Sequence, residues 1–102
     1  MGFNEVKQKA IKCILSNYVQ HETRESSKNL YATGELSDEE VIKIIQNCRG
    51  DRYEKQRHHF LGVDVHIMKP KGKYDGLYVK FYFIEPDIWF ISVHLSDFKE
   101  QV

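Results

Sequence analysis

The chain reads as an α+β fold, N-terminal helices packed on a C-terminal antiparallel sheet of about four strands, and three observations carry that expectation. Apolar residues recur at helical spacing as far as Cys48, and the period then changes to two. Pro70, Gly72, Gly76 and Pro86 punctuate the second half, where strands need turns between them. At 102 residues there is room for one hydrophobic core, so residues 1–102 read as a single domain.

The elements follow in order. Val6, Ala10, Cys13, Ile14 and Tyr18 form one stripe of a helix running from about Asn4 to Asn17. The polar passage from Gln20 to Asn29 reads as a short extended piece and then a helical turn. Ser37 caps a second helix, with Glu40 completing a capping box and Leu36 placed to staple against Val41. Val41, Ile42, Ile44, Ile45 and Cys48 supply its apolar face, and Gly50 supplies the stop. Four strands are expected after that: Tyr53 to Leu61 and Val63 to Met68 around Gly62, then Leu77 to Ile84 and Ile88 to Leu95 as a hairpin about Glu85-Pro86-Asp87.

Alternation sorts the strand residues into two sets. Leu77, Val79, Phe81 and Phe83 point one way and Tyr78, Lys80 and Tyr82 the other. Trp89, Ile91 and Val93 are expected in the core, which leaves Ser92 and His94 on the opposite side. Val63, Val65 and Ile67 likewise oppose Asp64 and His66. A phenol, an ammonium and an imidazole then share one open sheet face, equipment suited to holding a phosphodiester and moving a proton on it.

Charge is balanced, with 15 basic and 15 acidic side chains, so the molecule as a whole makes no electrostatic case for nucleic acid. Its distribution is uneven. From Arg52 to Lys80 there are seven Lys or Arg against three carboxylates, while Glu35, Asp38, Glu39 and Glu40 concentrate acid earlier. Cys13 and Cys48 lack a CxxC or zinc-like spacing and read as buried thiols in a reducing compartment. The five histidines form no HxxxH helix or carboxylate-histidine ligand set, so no metal or cofactor is expected. No signal peptide or membrane span is visible, and Val6 stands where a myristoylation motif wants Ser or Thr, so the cytoplasm is the expected compartment.

His94 is the first candidate, because an imidazole titrates near neutrality and can act as base or acid. Its bland alternative is a hydrogen bond to backbone at the sheet edge. Tyr78 can hold a phosphate oxygen or stack on a base, or simply pack. Lys80 lines a groove or is a solvated strand lysine. If Tyr53 to Leu61 is a strand, His58 and His59 point to opposite faces, and an inward Phe60 makes His59 the candidate, beside Lys55 and Arg57. Lys69, Lys71 and Lys73 form a basic loop, either merely solvated or able to attract RNA.

Several strings together resemble the motility quorum-sensing regulator (MqsR) toxins, bacterial messenger-RNA endonucleases of the wider RelE-like superfamily. These are Ala-Thr-Gly-Glu-Leu at positions 32–36 before a helix, Asp51-Arg52-Tyr53 after it, Pro70 before a loop, and Tyr78-Val79-Lys80 opening a strand. The similarity runs over most of the chain. Tyr78 falls without a gap on the family's functional strand tyrosine. With one inserted residue at Pro86, the family's catalytic lysine falls on His94. The lysine that follows the family's early sheet tyrosine is displaced from Glu54 to Lys55, and the site glutamine falls near Asp64-Val65-His66, with His66 the substitute.

The resemblance implies a metal-independent ribonuclease in which the RNA 2′-hydroxyl attacks the adjacent phosphate, leaving a 2′,3′-cyclic phosphate and a 5′-hydroxyl. Catalytic residues would be His94, Tyr78, Lys55 and His66, with Arg57, His59, Lys80, Lys69, Lys71 and Lys73 binding RNA. It also implies a toxin of a type II toxin-antitoxin system, held silent by a cognate antitoxin and meeting DNA only through that partner. The competing expectations are a non-catalytic RNA- or protein-binding module and a degenerate toxin without activity.

Overall fold

The computed structural model of the chain describes residues 2–23, 29–70 and 76–95, and among these two helices cover one face of a mixed five-stranded sheet. The α+β class is the expected one. Helix α1 (Phe3–Leu15) buries Val6, Ala10, Cys13 and Ile14, the stripe that its spacing marks. Helix α2 (Asp38–Gln46) begins on the expected capping box, the Ser37 hydroxyl accepting from the Glu40 amide at 3.2 Å and the Glu40 carboxylate accepting from the Ser37 amide at 3.1 Å. The Lys7 ammonium donates to the Gln46 and Cys48 carbonyls at 3.0 Å each, satisfying acceptors that the end of α2 leaves without helical partners. Cys13 and Cys48 are both buried against this helix pair.

The strands are β1 (Val19–His21), β2 (Tyr53–Arg57), β3 (Asp64–Met68), β4 (Leu77–Ile84) and β5 (Asp87–Leu95), in the spatial order β1-β5-β4-β3-β2. Two features of the expected sheet change. It has five strands rather than about four, and it is mixed, because β1 runs parallel to β5 while the other neighbours are antiparallel. A three-residue polar strand is too short to show a period, so its partner across the sheet decides its existence. Asn29 extends this edge, bridging to Val93 with its side chain fully buried. Its Oδ1 accepts from the Tyr31 and Ala32 amides at 3.1 and 3.0 Å and its Nδ2 meets His21 Nδ1 at 3.0 Å. These bonds turn the chain toward α2.

The distribution of side chains between the two faces is set in the β4–β5 hairpin. Tyr78 pairs with His94, Val79 with Val93 and Lys80 with Ser92, but Phe81 then pairs with Phe90. Ile91 is therefore an extra residue in β5, a β-bulge that reverses the alternation on either side of it. Val93, Phe90 and Ile88 point to the helices and join Val79, Phe81 and Met68 in the main core. Trp89 and Ile91, expected in that core, lie instead on the other face in a second apolar cluster with Val65, Ile67 and Tyr82. The run Ile-Trp-Phe-Ile-Ser-Val offers an apolar residue to both faces at almost every step, so alternation alone could not locate the extra residue.

The β2–β3 connection also differs from expectation. β2 ends at Arg57, and His58 to Gly62 form the hairpin loop, with Gly62 at φ +69° where a side chain would be strained. The opposed-face argument for His58 and His59 falls with the shortened strand.

The bulge makes a distinctive prediction. Phe90→Ala should cost about 3–5 kcal/mol, as expected for a fully buried ring. Trp89→Ala should cost distinctly less because the indole is half-buried. Urea unfolding followed by circular dichroism checks this order, and the reverse order would mean that alternation runs through β5 without interruption.

Candidate functional site

Direct pairing of Tyr78 with His94 brings their rings to 4.3 Å between centroids, inclined at 60°. Lys80 and Ser92 form the neighbouring pair on the same face. The phenol, imidazole, ammonium and hydroxyl thus gather as alternation predicts, since all four lie on one side of the bulge. Tyr78, Lys80 and His94 are half-buried, and Ser92 is 2 % exposed. Val65, Ile67, Tyr82 and Ile91 pack beside them, so the polar groups stand in an apolar frame rather than on an open polar surface. Low polarizability around such groups strengthens their interaction with a phosphate.

Lys55 and His66 do not join them. His66 pairs with Phe81 and Lys55 with His66, which puts both on the face that carries the helices. The expected four-residue catalytic group therefore divides two and two across the sheet. In β3 it is Val65 and Ile67 that share the Tyr78 side, because that side has its own apolar cluster to fill, while His66 and Met68 turn inward. His66 is 5 % exposed and shares a 2.7 Å hydrogen bond with the Tyr53 hydroxyl. Burial, with a smaller contribution from the Lys55 charge, pushes its pKa down to about 4. It is a neutral packing histidine, and Lys55 is an exposed residue of the edge strand.

The β2–β3 loop folds toward the Tyr82 side of the sheet, and His58 fastens it. Its Nδ1 accepts from the Phe60 and Leu61 amides at 3.1 and 3.2 Å, so the ring proton sits on Nε2 and is donated to Glu22 Oε2 at 3.1 Å. The Tyr82 hydroxyl donates to the same carboxylate oxygen at 2.7 Å. Glu22 lies in a polar passage without a period and His58 in a segment whose alternation favours His59, so local pattern marks neither residue. The tripeptide Phe60-Leu61-Gly62 was the available signal, because a glycine after the apolar pair suits a hairpin tip as well as a strand break.

His58 stands between two clefts. One, of about 450 Å³, is lined by Gln56, Arg57, His59 and Lys80 and is basic in character. The other, of about 370 Å³, is lined mainly by Phe60, Leu61, Tyr82 and Trp89, with Glu22 at its wall. The structure thus brings Arg57, His59 and Lys80, three of the residues expected to bind RNA, to the lining of one cleft. Arg57 also meets Asp64 at 3.4 Å, an exposed pair of little energetic consequence. Lys69 lies apart from this cleft and pairs with Glu54 at 3.3 Å. Lys71 and Lys73 lie outside the described residues.

Among the described residues no three His, Cys, Asp or Glu side chains are grouped so as to hold a metal ion. No helix among them is long and apolar enough to cross a membrane. Comparison of the chain with protein families, curated proteins and solved structures finds no match to any of them.

The buried imidazole has a consequence for stability. Because the pKa of His66 in the fold lies below its ordinary value, the unfolded chain binds a proton between about pH 6.5 and 4 that the folded chain does not. Stability should therefore fall as pH is lowered through that window, by on the order of 3 kcal/mol from this residue, and level off below it. Urea midpoints at pH 7 and pH 4.5 should differ less in His66→Gln than in the parent. Equal differences in the two proteins would show that His66 carries no proton linkage.

Proposed function

We propose that this chain is a metal-independent endoribonuclease, the toxin of a type II toxin-antitoxin system acting on messenger RNA in the cytoplasm. The observation that carries the reading is the Tyr78–His94 pair, 4.3 Å apart with Lys80 next to it on the same face. It is supported by the resemblance of Tyr78-Val79-Lys80 to the opening of the functional strand in MqsR toxins.

Cleavage by a 2′-hydroxyl requires a base at that hydroxyl, positive charge at the crowded phosphorane and an acid at the departing 5′-oxygen. His94 takes the proton from the 2′-hydroxyl as the oxygen attacks phosphorus. Lys80 stabilises the charge that accumulates on the non-bridging oxygens. The Tyr78 phenol positions the phosphate and protonates the leaving oxygen. Products are the 2′,3′-cyclic phosphate and the 5′-hydroxyl, and a water-mediated return of the proton from His94 to Tyr78 restores both groups. Lys55 and His66 have no part in this scheme because they lie on the other side of the sheet. The histidine at the family's lysine position suits a proton carrier better than a fixed charge.

The second reading, a non-catalytic binding module or silent toxin, is favoured by the apolar cluster of Val65, Ile67, Tyr82 and Ile91 on the same face. That cluster is itself buried, but beside it Phe60 and Leu61 stand exposed, and exposed apolar side chains are what a recognition surface also needs. On the toxin reading the partners include a cognate antitoxin protein, which the family resemblance alone motivates.

Purified parent protein should cut RNA in buffer containing a chelator, and His94→Ala and Tyr78→Phe should each slow cleavage by roughly tenfold to a thousandfold. Product ends identified by mass spectrometry should be cyclic phosphates. Undiminished cleavage in His94→Ala would overturn the assignment, and absence of cleavage by the parent would favour the binding module.

A further inference from the structure

We infer that the two clefts on either side of His58 form one nucleotide subsite, which takes an unpaired base of single-stranded RNA against Phe60 and Trp89 and its phosphate at Arg57. The inference rests on RNA being the ligand of this face, and it adds where a flanking nucleotide binds and that its strand is unpaired.

The hairpin tip carries the argument. Phe60 is 77 % exposed and Leu61 is 47 % exposed, an apolar pair at a turn where Gly, Pro, Asn, Asp and Ser are the usual residues. The loop beneath them is held in place, because both ring nitrogens of His58 are engaged, with two loop amides on one side and Glu22 on the other. The His58 ring also stands edge-on to Tyr82 at 5.0 Å. An aromatic side chain presented on such a base loses little freedom on binding, which favours a stacking platform. Across the cleft the half-buried Trp89 indole stacks parallel within 4° to the buried Tyr82 ring, which fixes the plane it presents to a flat guest.

Charge selects the guest. The aromatic cleft adjoins the basic one, and His58 lines both. A ligand that fills them together is aromatic at one end and anionic at the other, as a nucleotide is. A base still paired in a duplex has no face to offer Phe60 and Trp89, so the strand must be single. The same face carries Lys80, Tyr78 and His94 beyond, so a strand with one phosphate at Arg57 continues toward Lys80 and the proposed reacting pair.

Trp89 is the sole tryptophan of the chain, so its fluorescence reports on the aromatic cleft directly. A 2′-O-methyl oligoribonucleotide, which lacks the attacking hydroxyl, should quench it on titration, whereas its abasic counterpart and its duplex should not. Phe60→Ala should weaken binding of the base-bearing strand by roughly five- to a hundredfold and leave the abasic strand's affinity alone. Arg57→Ala should weaken both strands and lower the salt dependence of binding. Equal affinity for base-bearing and abasic strands, or an unaffected Phe60→Ala, would overturn the subsite even if RNA is cleaved. Quenching by a protein that cuts no RNA would uphold the subsite while refuting the nuclease. Saturation of the cleft by an acidic, aromatic-bearing peptide with no response to the oligonucleotide would assign the face to a protein partner and refute the subsite.

Discussion

One extra residue in the last strand, Ile91, determines what each face of the sheet receives. Without it, the alternation that sends Ser92 and His94 to one side would send Phe90 there too, leaving the helices packed on Trp89 and Ile91. With it, Phe90 and Ile88 fill the main core and His94 still faces the same way as Tyr78. A bulge leaves part of the ladder unpaired and increases local twist. Here it lets one strand satisfy two demands, a close-packed interior on one side and a polar cluster on the other. The apolar residues displaced from the core supply the cluster that frames Tyr78 and His94.

The described histidines show how environment divides one side-chain type into different tasks. His66 is sealed between sheet and helices beside Tyr53, and burial holds it neutral. His21 is also depressed by burial, against the buried Asn29. His58 has both nitrogens committed to a loop and a carboxylate, which fits it for fastening the loop. His94 stands half-buried against a phenol on the basic face, and His59 lies exposed in the basic cleft. Position, more than residue type, decides which of them has a chemical use.

The β2–β3 loop gives the second face its depth. A flat sheet would offer only a surface, but the loop, fastened through His58 to Glu22 and Tyr82, raises a wall with a basic cleft on one side and an aromatic one on the other. The fastening joins a residue just past β1 to one just past β2, although these strands are the two edges of the sheet. That closure draws the edges toward each other over Tyr82, and it couples the loop's position to the same edge that Asn29 secures.

Both helices, the Ser37 capping box and the strand Leu77–Ile84 could be read from the chain, because each rests on local spacing or on a cap between residues three apart. The Tyr78–His94 neighbourhood was legible for the same reason, since both lie on the same side of the bulge. Other features depended on the fold. The parallel strand β1 exists through its pairing with Ile88 to Phe90, and the inward turn of His66 follows from a second apolar cluster that claims Val65 and Ile67. The bulge is hidden within a run of apolar residues, and the bond between His58 and Glu22 spans 36 positions of sequence. Local chemistry settles how each segment is shaped. Which of its faces is buried depends on what the rest of the chain packs against it, and period alone carries no information about that partner.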